Sequence, residues 1–238
     1  MTDTIISAIG RTPLAEMKHL FANDRGIRVF AKLELLNPGG SAKDRPALRM
    51  LQEARQAGRI GPGSTIVESS SGNTAISLAM ICAQWKMRLI CVVDPRTSGA
   101  NLAILKALGA QIDLVAEPDP ATGEFLPARI RRVQELLASI PGAFWPNQYN
   151  NENNWQAQME TMREIHEQTG GPDYVFGAVS TCSTMLGCYR YVREKDLPTV
   201  IVAVDSEASS ILGEPCGQRR FPGMGAGLVP PFGRQRFY

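Results

Sequence analysis

Histidine is nearly absent from this chain: His19 and His166 are the only two. A histidine-built metal centre or a Ser-His-Asp arrangement therefore has almost no material. The five cysteines, Cys82, Cys91, Cys182, Cys188 and Cys216, are odd in number, scattered and without a C-x-x-C pair. That pattern reads as reduced thiols in a cytoplasm, and no metal is expected. Charge of one sign never accumulates. The formal net charge is +2 with no basic block, which leaves nucleic-acid binding without an electrostatic footprint. Long apolar runs are missing too. "ISLAMICA" stops at Gln84 and Trp85, too short to span a bilayer, so no membrane partner is expected. The start, "MTDTIISAIG", lacks the charged region and apolar stretch of a signal peptide.

What is present is an ordinary globular composition, 44% apolar and 20% charged, long enough for one large domain or two small ones. Short β-branched runs alternate with helical stretches. "VFAKLEL" (29–35) alternates like a strand, and 45–58 reads as a helix stopped by Gly58. Residues 64–86 read as strand, Ser-Gly-Asn turn and apolar helix, then 88–94 as strand, 99–110 as helix and 111–116 as strand. Residues 127–140 and 153–169 are predicted helices; 173–181 is a strand, a helix follows to about 194, and 199–205 is a buried strand. Strands separated by helices of this length imply βαβ units, an α/β fold of mainly parallel sheets covered by helices on both faces.

Three stretches carry chemistry. "LNPGGSAKDRP" (36–46) places Lys43 directly after a tight turn. It admits two readings, a solvated Lys-Asp-Arg cluster or a lysine held for covalent work. "ESSSGNT" (68–74) gathers three serines, Asn73 and Thr74 at one helix start. One cap needs only one such residue, so a carboxylate pocket is a plausible second role. "AVSTCSTMLG" (178–187) ends a strand in small residues and opens another helix. It reads as a cap or as a phosphate cup of backbone N–H groups and hydroxyls.

These stretches occur in order with "AIGRTPL" (8–14), "LKALGA" (105–110), "NQYNNENN" (147–154) and "GMGAG" (223–227). Together they resemble the cysteine synthase family of pyridoxal-phosphate (PLP) enzymes, which shares its fold with the tryptophan synthase β-subunit. The resemblance spans almost the whole chain. It implies two α/β lobes with PLP in the cleft between them: a larger cofactor-binding lobe of residues 1–44 and 143–238, and a smaller mobile lobe of 45–142. It implies that Lys43 forms the Schiff base with PLP and serves as the catalytic proton carrier. Asn73 then hydrogen-bonds the cofactor's 3-hydroxyl, and Ser180, Thr181, Cys182, Ser183 and Thr184 take its phosphate. Gly223 and Gly225 pass close to the cofactor. Ser70, Ser71, Gly72 and Thr74 grip the substrate α-carboxylate, with Gln148 beside the substrate. Asp44 and Arg45 are read as structural. The resemblance also implies a cytoplasmic homodimer working on small amino acids, and a chain shortened at its C-terminal end.

Three departures from the plain cysteine synthase pattern bear on the reaction. The phosphate loop reads "STCST" in place of a glycine-rich run, with Cys182 read as a small buried filler. The stretch 147–165 lacks the family's prolines after the asparagines, which gives Tyr149 and Asn151 a different approach to substrate. "TMREI" (161–165) replaces the family's "TGPEI". These features resemble the branch that makes a 2,3-diaminopropionate precursor in siderophore and antibiotic pathways. That branch joins O-phospho-L-serine to L-glutamate, giving N-(2-amino-2-carboxyethyl)-L-glutamate and phosphate. Both reactants are anionic, so Arg129 is the first choice for a substrate contact; Arg131 and Arg132 are read as a solvated helix face. Two alternatives stand beside this: a cysteine synthase using O-phosphoserine or O-acetylserine with sulfide, and an inactive shortened paralogue acting as a binding or subunit partner.

Overall fold

The protein, described here from a computed structural model, is placed over residues 4–18, 26–211, 217, 223–227 and 229–235. His19 and Cys216 lie outside the described residues. The chain is a mixed α/β protein with parallel sheets covered by helices. It divides into two compact units, Met1–Ala42 with Trp155–Tyr238, and Lys43–Asn154.

The second unit holds a three-stranded parallel sheet, ordered β3-β4-β5. Its strands are β3 (Thr65–Glu68), β4 (Arg88–Val93) and β5 (Gln111–Leu114). The connections are helices α2 (Asn73–Gln84) and α3 (Gly99–Ala107); α1 (Asp44–Gln56) precedes the sheet and α4 (Phe125–Ser139) follows it. Period-2 alternation sorts the faces. Val67, Ile90 and Val92 pack on Val133 and Leu136 of α4. Leu89, Cys91 and Val93 point the other way and are also buried, on the side where α2 packs. That two-sided burial is why β4 reads as an unbroken apolar run. Beyond β3, Phe144 adds a parallel bridge to Ile66. The chain that follows it therefore crosses the carboxyl end of β3.

The first unit contains a short antiparallel pair, β1 (Leu14–Glu16) and β2 (Phe30–Lys32), and a parallel pair, β6 (Tyr174–Ala178) and β7 (Val200–Val204). Helix α5 (Asn153–Thr169) and helix α6 (Ser183–Glu194) supply most of its core, with Met162, Met185, Leu186, Ile201 and Phe232 buried together. Gly187 permits the close crossing of these helices: a Cβ there would sit 2.3 Å from the Trp155 carbonyl oxygen.

Two local expectations are corrected. Residues 29–35 are not one strand: β2 stops at Lys32 and a 3-10 turn covers Glu34–Leu36, because Pro13, which accepts the Leu33 N–H opposite, has no N–H to return a ladder bond and the Leu36 N–H folds back on the Leu33 carbonyl. The 199–205 strand is not buried throughout. Val200 and Val204 are exposed, as are Tyr174 and Phe176 beside them. Among the described residues, α6 covers one face of β6–β7, and these four side chains lie on the other.

Candidate functional site

Lys43 is the residue just before α1, in helical conformation, and its carbonyl accepts the Ala47 N–H at 3.0 Å. The side chain is half-buried. Desolvation pushes its amine below the usual lysine range, since burial disfavours the charged form. The neighbouring carboxylate anchors the backbone at this position. Asp44 is fully buried and its Oδ1 lies 2.5 Å from Ser77 Oγ, which is itself 2.9 Å from the Asn73 carbonyl. Asp44 thus ties the start of α1 to the start of α2. The expected covalent residue, Lys43, and the expected ring partner, Asn73, stand at those two starts. The solvated-cluster reading of 43–45 fails, because Asp44 and Arg45 are both buried.

The Ser69–Thr74 loop joins β3 to α2. No side chain caps α2 at Gly72, so the helix start keeps free N–H donors and the positive end of its dipole. Ser69 and Ser70 are buried, Ser71 and Gly72 are half-buried, and Asn73 is exposed. Thr74 Oγ1 donates to Gln148 Oε1 at 2.7 Å. Two residues 74 positions apart, both expected at the substrate, are therefore in direct contact. That bond uses the Gln148 oxygen, so what Gln148 offers a ligand is its Nε2 donors. Asn154 Nδ2 steadies Gln148 by donating to its carbonyl at 2.6 Å. Tyr149 follows, half-buried.

Arg129 lies against Asp94, with Nε 3.5 Å from Oδ2. The contact is ionic: Nε is buried without a hydrogen-bond partner. The guanidinium expected at the substrate already has a carboxylate beside it. Arg131 and Arg132 lie on a solvent-facing side of α4, where each meets an acidic partner. Arg131 pairs with Asp119, and Arg132 grips Asp113 through two bonds of 3.0 and 2.9 Å.

The other unit carries the second helix start. Residues 180–184 run from β6 into α6, and Cys182 takes the left-handed conformation at φ 66°, which side chains other than glycine adopt at a cost of about 1 kcal/mol. No side chain caps α6. Thr181 Oγ1 and Ser183 Oγ are 2.8 Å apart in a buried pair. Ser180 and Thr184 flank them, half-buried. Burial, and then the Asp205 carboxylate, push the Cys182 thiol up to about 12. It is a packed filler against Gly233, whose Cβ position lies 3.3 Å from its sulfur. Gly225 donates its N–H to the Val179 carbonyl at 2.7 Å, which brings the 223–227 segment to the carboxyl end of β6 beside this loop. Gly223 and Gly225 both have positive φ, 83° and 75°, open to glycine without strain.

Each unit carries groups whose chemistry suits one part of the expected coenzyme. An uncapped twelve-residue helix entered through a left-handed residue and two hydroxyls suits a phosphate dianion. A desolvated amine at a helix start anchored by the Asp44–Ser77 bond suits condensation with an aldehyde. The donor set fits. Sequence reading missed the supporting residues: Ser77 bonded to Asp44, Asn101, whose Nδ2 donates to the Ser71 carbonyl at 2.9 Å, and Glu68 and Trp145, joined at 3.0 Å. Glu68 opens the "ESSSGNT" stretch but was given no role there, and Ser77, Asn101 and Trp145 were marked only by their polar groups among apolar neighbours.

Known structures share this arrangement of the chain. A hydrogen sulfide-producing enzyme from Fusobacterium nucleatum is 31% identical with a TM-score of 0.86, covering 98% of this chain and 76% of that one. An O-acetylserine dependent cystathionine β-synthase from Helicobacter pylori is 32% identical with a TM-score of 0.84, covering 98% and 75%. An O-ureido-L-serine synthase is 28% identical with a TM-score of 0.88, covering 98% and 72%. Residues 5–235 match the family described as pyridoxal-phosphate dependent enzymes, and the chain belongs to that family.

Proposed function

We propose that the protein replaces the β-substituent of an O-activated L-serine, joining O-phospho-L-serine to L-glutamate to give N-(2-amino-2-carboxyethyl)-L-glutamate and phosphate. The observation that carries the proposal is the desolvated Lys43 amine at the start of α1, which Asp44 and Ser77 tie to the helix start that bears Asn73. Family membership makes pyridoxal phosphate the cofactor. When bound, it supplies the electron sink for chemistry at the substrate Cα. In this reading Lys43 is the covalent anchor and then moves the Cα proton. Asn73 orients the ring, and Ser180–Thr184 neutralise the phosphate with helix N–H groups and hydroxyls. Ser70, Ser71, Gly72 and Thr74 hold the substrate carboxylate at an uncapped helix start. Gln148 donates from Nε2, and Tyr149 borders the substrate. The proposal includes a homodimer acting in the cytoplasm.

A second reading has its own support. Two of the similar structures are named for O-acetylserine dependence and for sulfide production, and Arg129 is occupied by Asp94. Both favour O-acetyl-L-serine with a sulfur nucleophile. One experiment separates the readings. The purified chain is loaded with pyridoxal phosphate and given O-phospho-L-serine or O-acetyl-L-serine, each with glutamate or sulfide, and products are identified by mass. The glutamate adduct supports the first reading, and cysteine the second. Borohydride trapping of the loaded protein should add the phosphopyridoxyl mass to the peptide containing Lys43. No adduct on that peptide defeats both.

A further inference from the structure

Glu68 ends β3 as a carboxyl that is 1% exposed in a strand otherwise made of Thr65, Ile66 and Val67. A buried carboxyl is costly unless its bonds matter to the structure around it. Its Oε1 accepts the Ser69 N–H at 2.8 Å and the Trp145 Nε1–H at 3.0 Å. The first bond turns the carboxyl back toward the loop that follows. The second reaches 77 positions along the chain to the segment bridging β3 on its free side. Backbone N–H groups of Asn147 and Gln148 also face it.

The loop is then fixed at three points. Glu68 holds its first residue, Asn101 Nδ2 holds the Ser71 carbonyl at 2.9 Å, and Thr74 is bonded to Gln148 at 2.7 Å. Two of the three fixings lead to the 145–148 segment. The loop's shape and the placement of Gln148 are thereby one mechanical unit. Helix α2 meanwhile spends no side chain on capping itself, so its N–H donors stay free for a ligand.

We propose that Glu68 is a positioning residue, which through Trp145 locks the Ser69–Thr74 loop to the Gln148 segment and so presets the loop for an α-amino carboxylate. The proposal deepens the reading that this loop receives the substrate carboxylate, and rests on it. Burial pushes the Glu68 carboxyl up despite the opposing bonds from Trp145 and the backbone, which agrees with an acid kept for its hydrogen bonds and not for its charge.

Three variants of the loaded enzyme test this: Glu68→Ala, Glu68→Gln and Trp145→Phe. Glu68→Gln keeps an acceptor oxygen at the same reach, and Trp145→Phe keeps an aromatic ring of smaller size while removing the Nε1–H donor. KM and kcat are measured with O-acetyl-L-serine and O-phospho-L-serine, alongside the bound cofactor's visible band. Glu68→Ala and Trp145→Phe should raise KM about tenfold, change kcat less than threefold and keep the band. Glu68→Gln should stay within about threefold of wild type in both. Unchanged KM in Trp145→Phe, or a Glu68→Gln variant as impaired as Glu68→Ala, overturns the proposal.

Hydrogen exchange of residues 69–74 and 145–148, followed by mass spectrometry without substrate, reads the same lock independently of turnover. Exchange in both stretches should rise at least about tenfold in Glu68→Ala and in Trp145→Phe. If wild type proves inactive yet this rise occurs, the lock stands and the substrate reading falls. If exchange does not change in either variant, the lock itself is refuted.

Discussion

Glu164 lies in the middle of α5 with its side chain 4% exposed, and its Oε2 is 2.7 Å from Lys32 Nζ, which is 9% exposed. Its Oε1 accepts the Arg11 N–H at 2.8 Å, and Lys32 also donates to the Thr12 carbonyl. The pair pins the N-terminal segment and β2 onto α5. Glu164→Gln keeps the Arg11 bond but strands the Lys32 ammonium beside a neutral amide. Removing one partner of a buried pair costs about 3–5 kcal/mol. The surviving bonds to Thr12 and Arg11 argue for the lower end, about 3 kcal/mol. In a chain of this length that is roughly 6–12 °C in Tm. Lys32→Met should cost at least as much, because a buried carboxylate then loses its cation. The double variant Lys32→Met/Glu164→Gln removes both charges and should return to within about 1 kcal/mol of wild type. Thermal melts followed by circular dichroism, at one protein concentration and heating rate, give all four values. Single variants melting within about 2 °C of wild type, or a double variant whose loss equals the sum of the singles, would refute the reasoning.

Gly187→Ala drives a methyl to 2.3 Å from the Trp155 carbonyl oxygen and 2.7 Å from Gln158 Cβ. The helices must part, so Tm should fall by an amount equivalent to about 2 kcal/mol or more. Burial pushes Cys82 and Cys91 up to about 12, as it does Cys182. Peptide mapping after iodoacetamide at pH 8 should find all three unlabelled in native protein and labelled in denaturant. Their folded-state values lie above the unfolded value of 9.0, so the folded chain holds more protons between pH 9 and about 12. Their stabilising contribution is complete below pH 9 and declines as pH rises through that window. Lys43 has the opposite sign. Its folded-state value lies below 10.5, so cofactor-free protein should gain stability as pH rises toward 10.5. Lys43→Met should show less of that gain in urea melts across the same range.

Where strands and helices begin was largely legible, because it rests on spacing and on residues near in sequence. Helix α5 occupies Asn153–Thr169, the span expected from its pattern before Gly170-Gly171. The turn-to-helix starts at 69–74 and 180–184 were visible as small and hydroxyl residues after apolar runs. Residues 29–35 misled, since an alternating pattern does not reveal that the partner opposite Leu33 is Pro13, which cannot return a ladder bond. Residues 199–205 misled as well, since apolar content marks a strand but not which of its faces a helix will cover. The motifs named Lys43, Asn73 and Thr74 by resemblance, yet nothing nearby named what holds them.

The sequence by itself determined the element types, the α/β class and the two open helix starts, because those follow from periodicity, turn residues and propensities acting over a few positions. Only the tertiary structure decided that Asp44 reaches Ser77, that Glu68 reaches Trp145, that Thr74 meets Gln148, and that Arg129 is matched by Asp94. Each of these joins residues at least 33 positions apart. The partner of a buried polar group is chosen by which side chains packing brings within about 3 Å, and that choice is made by the fold as a whole.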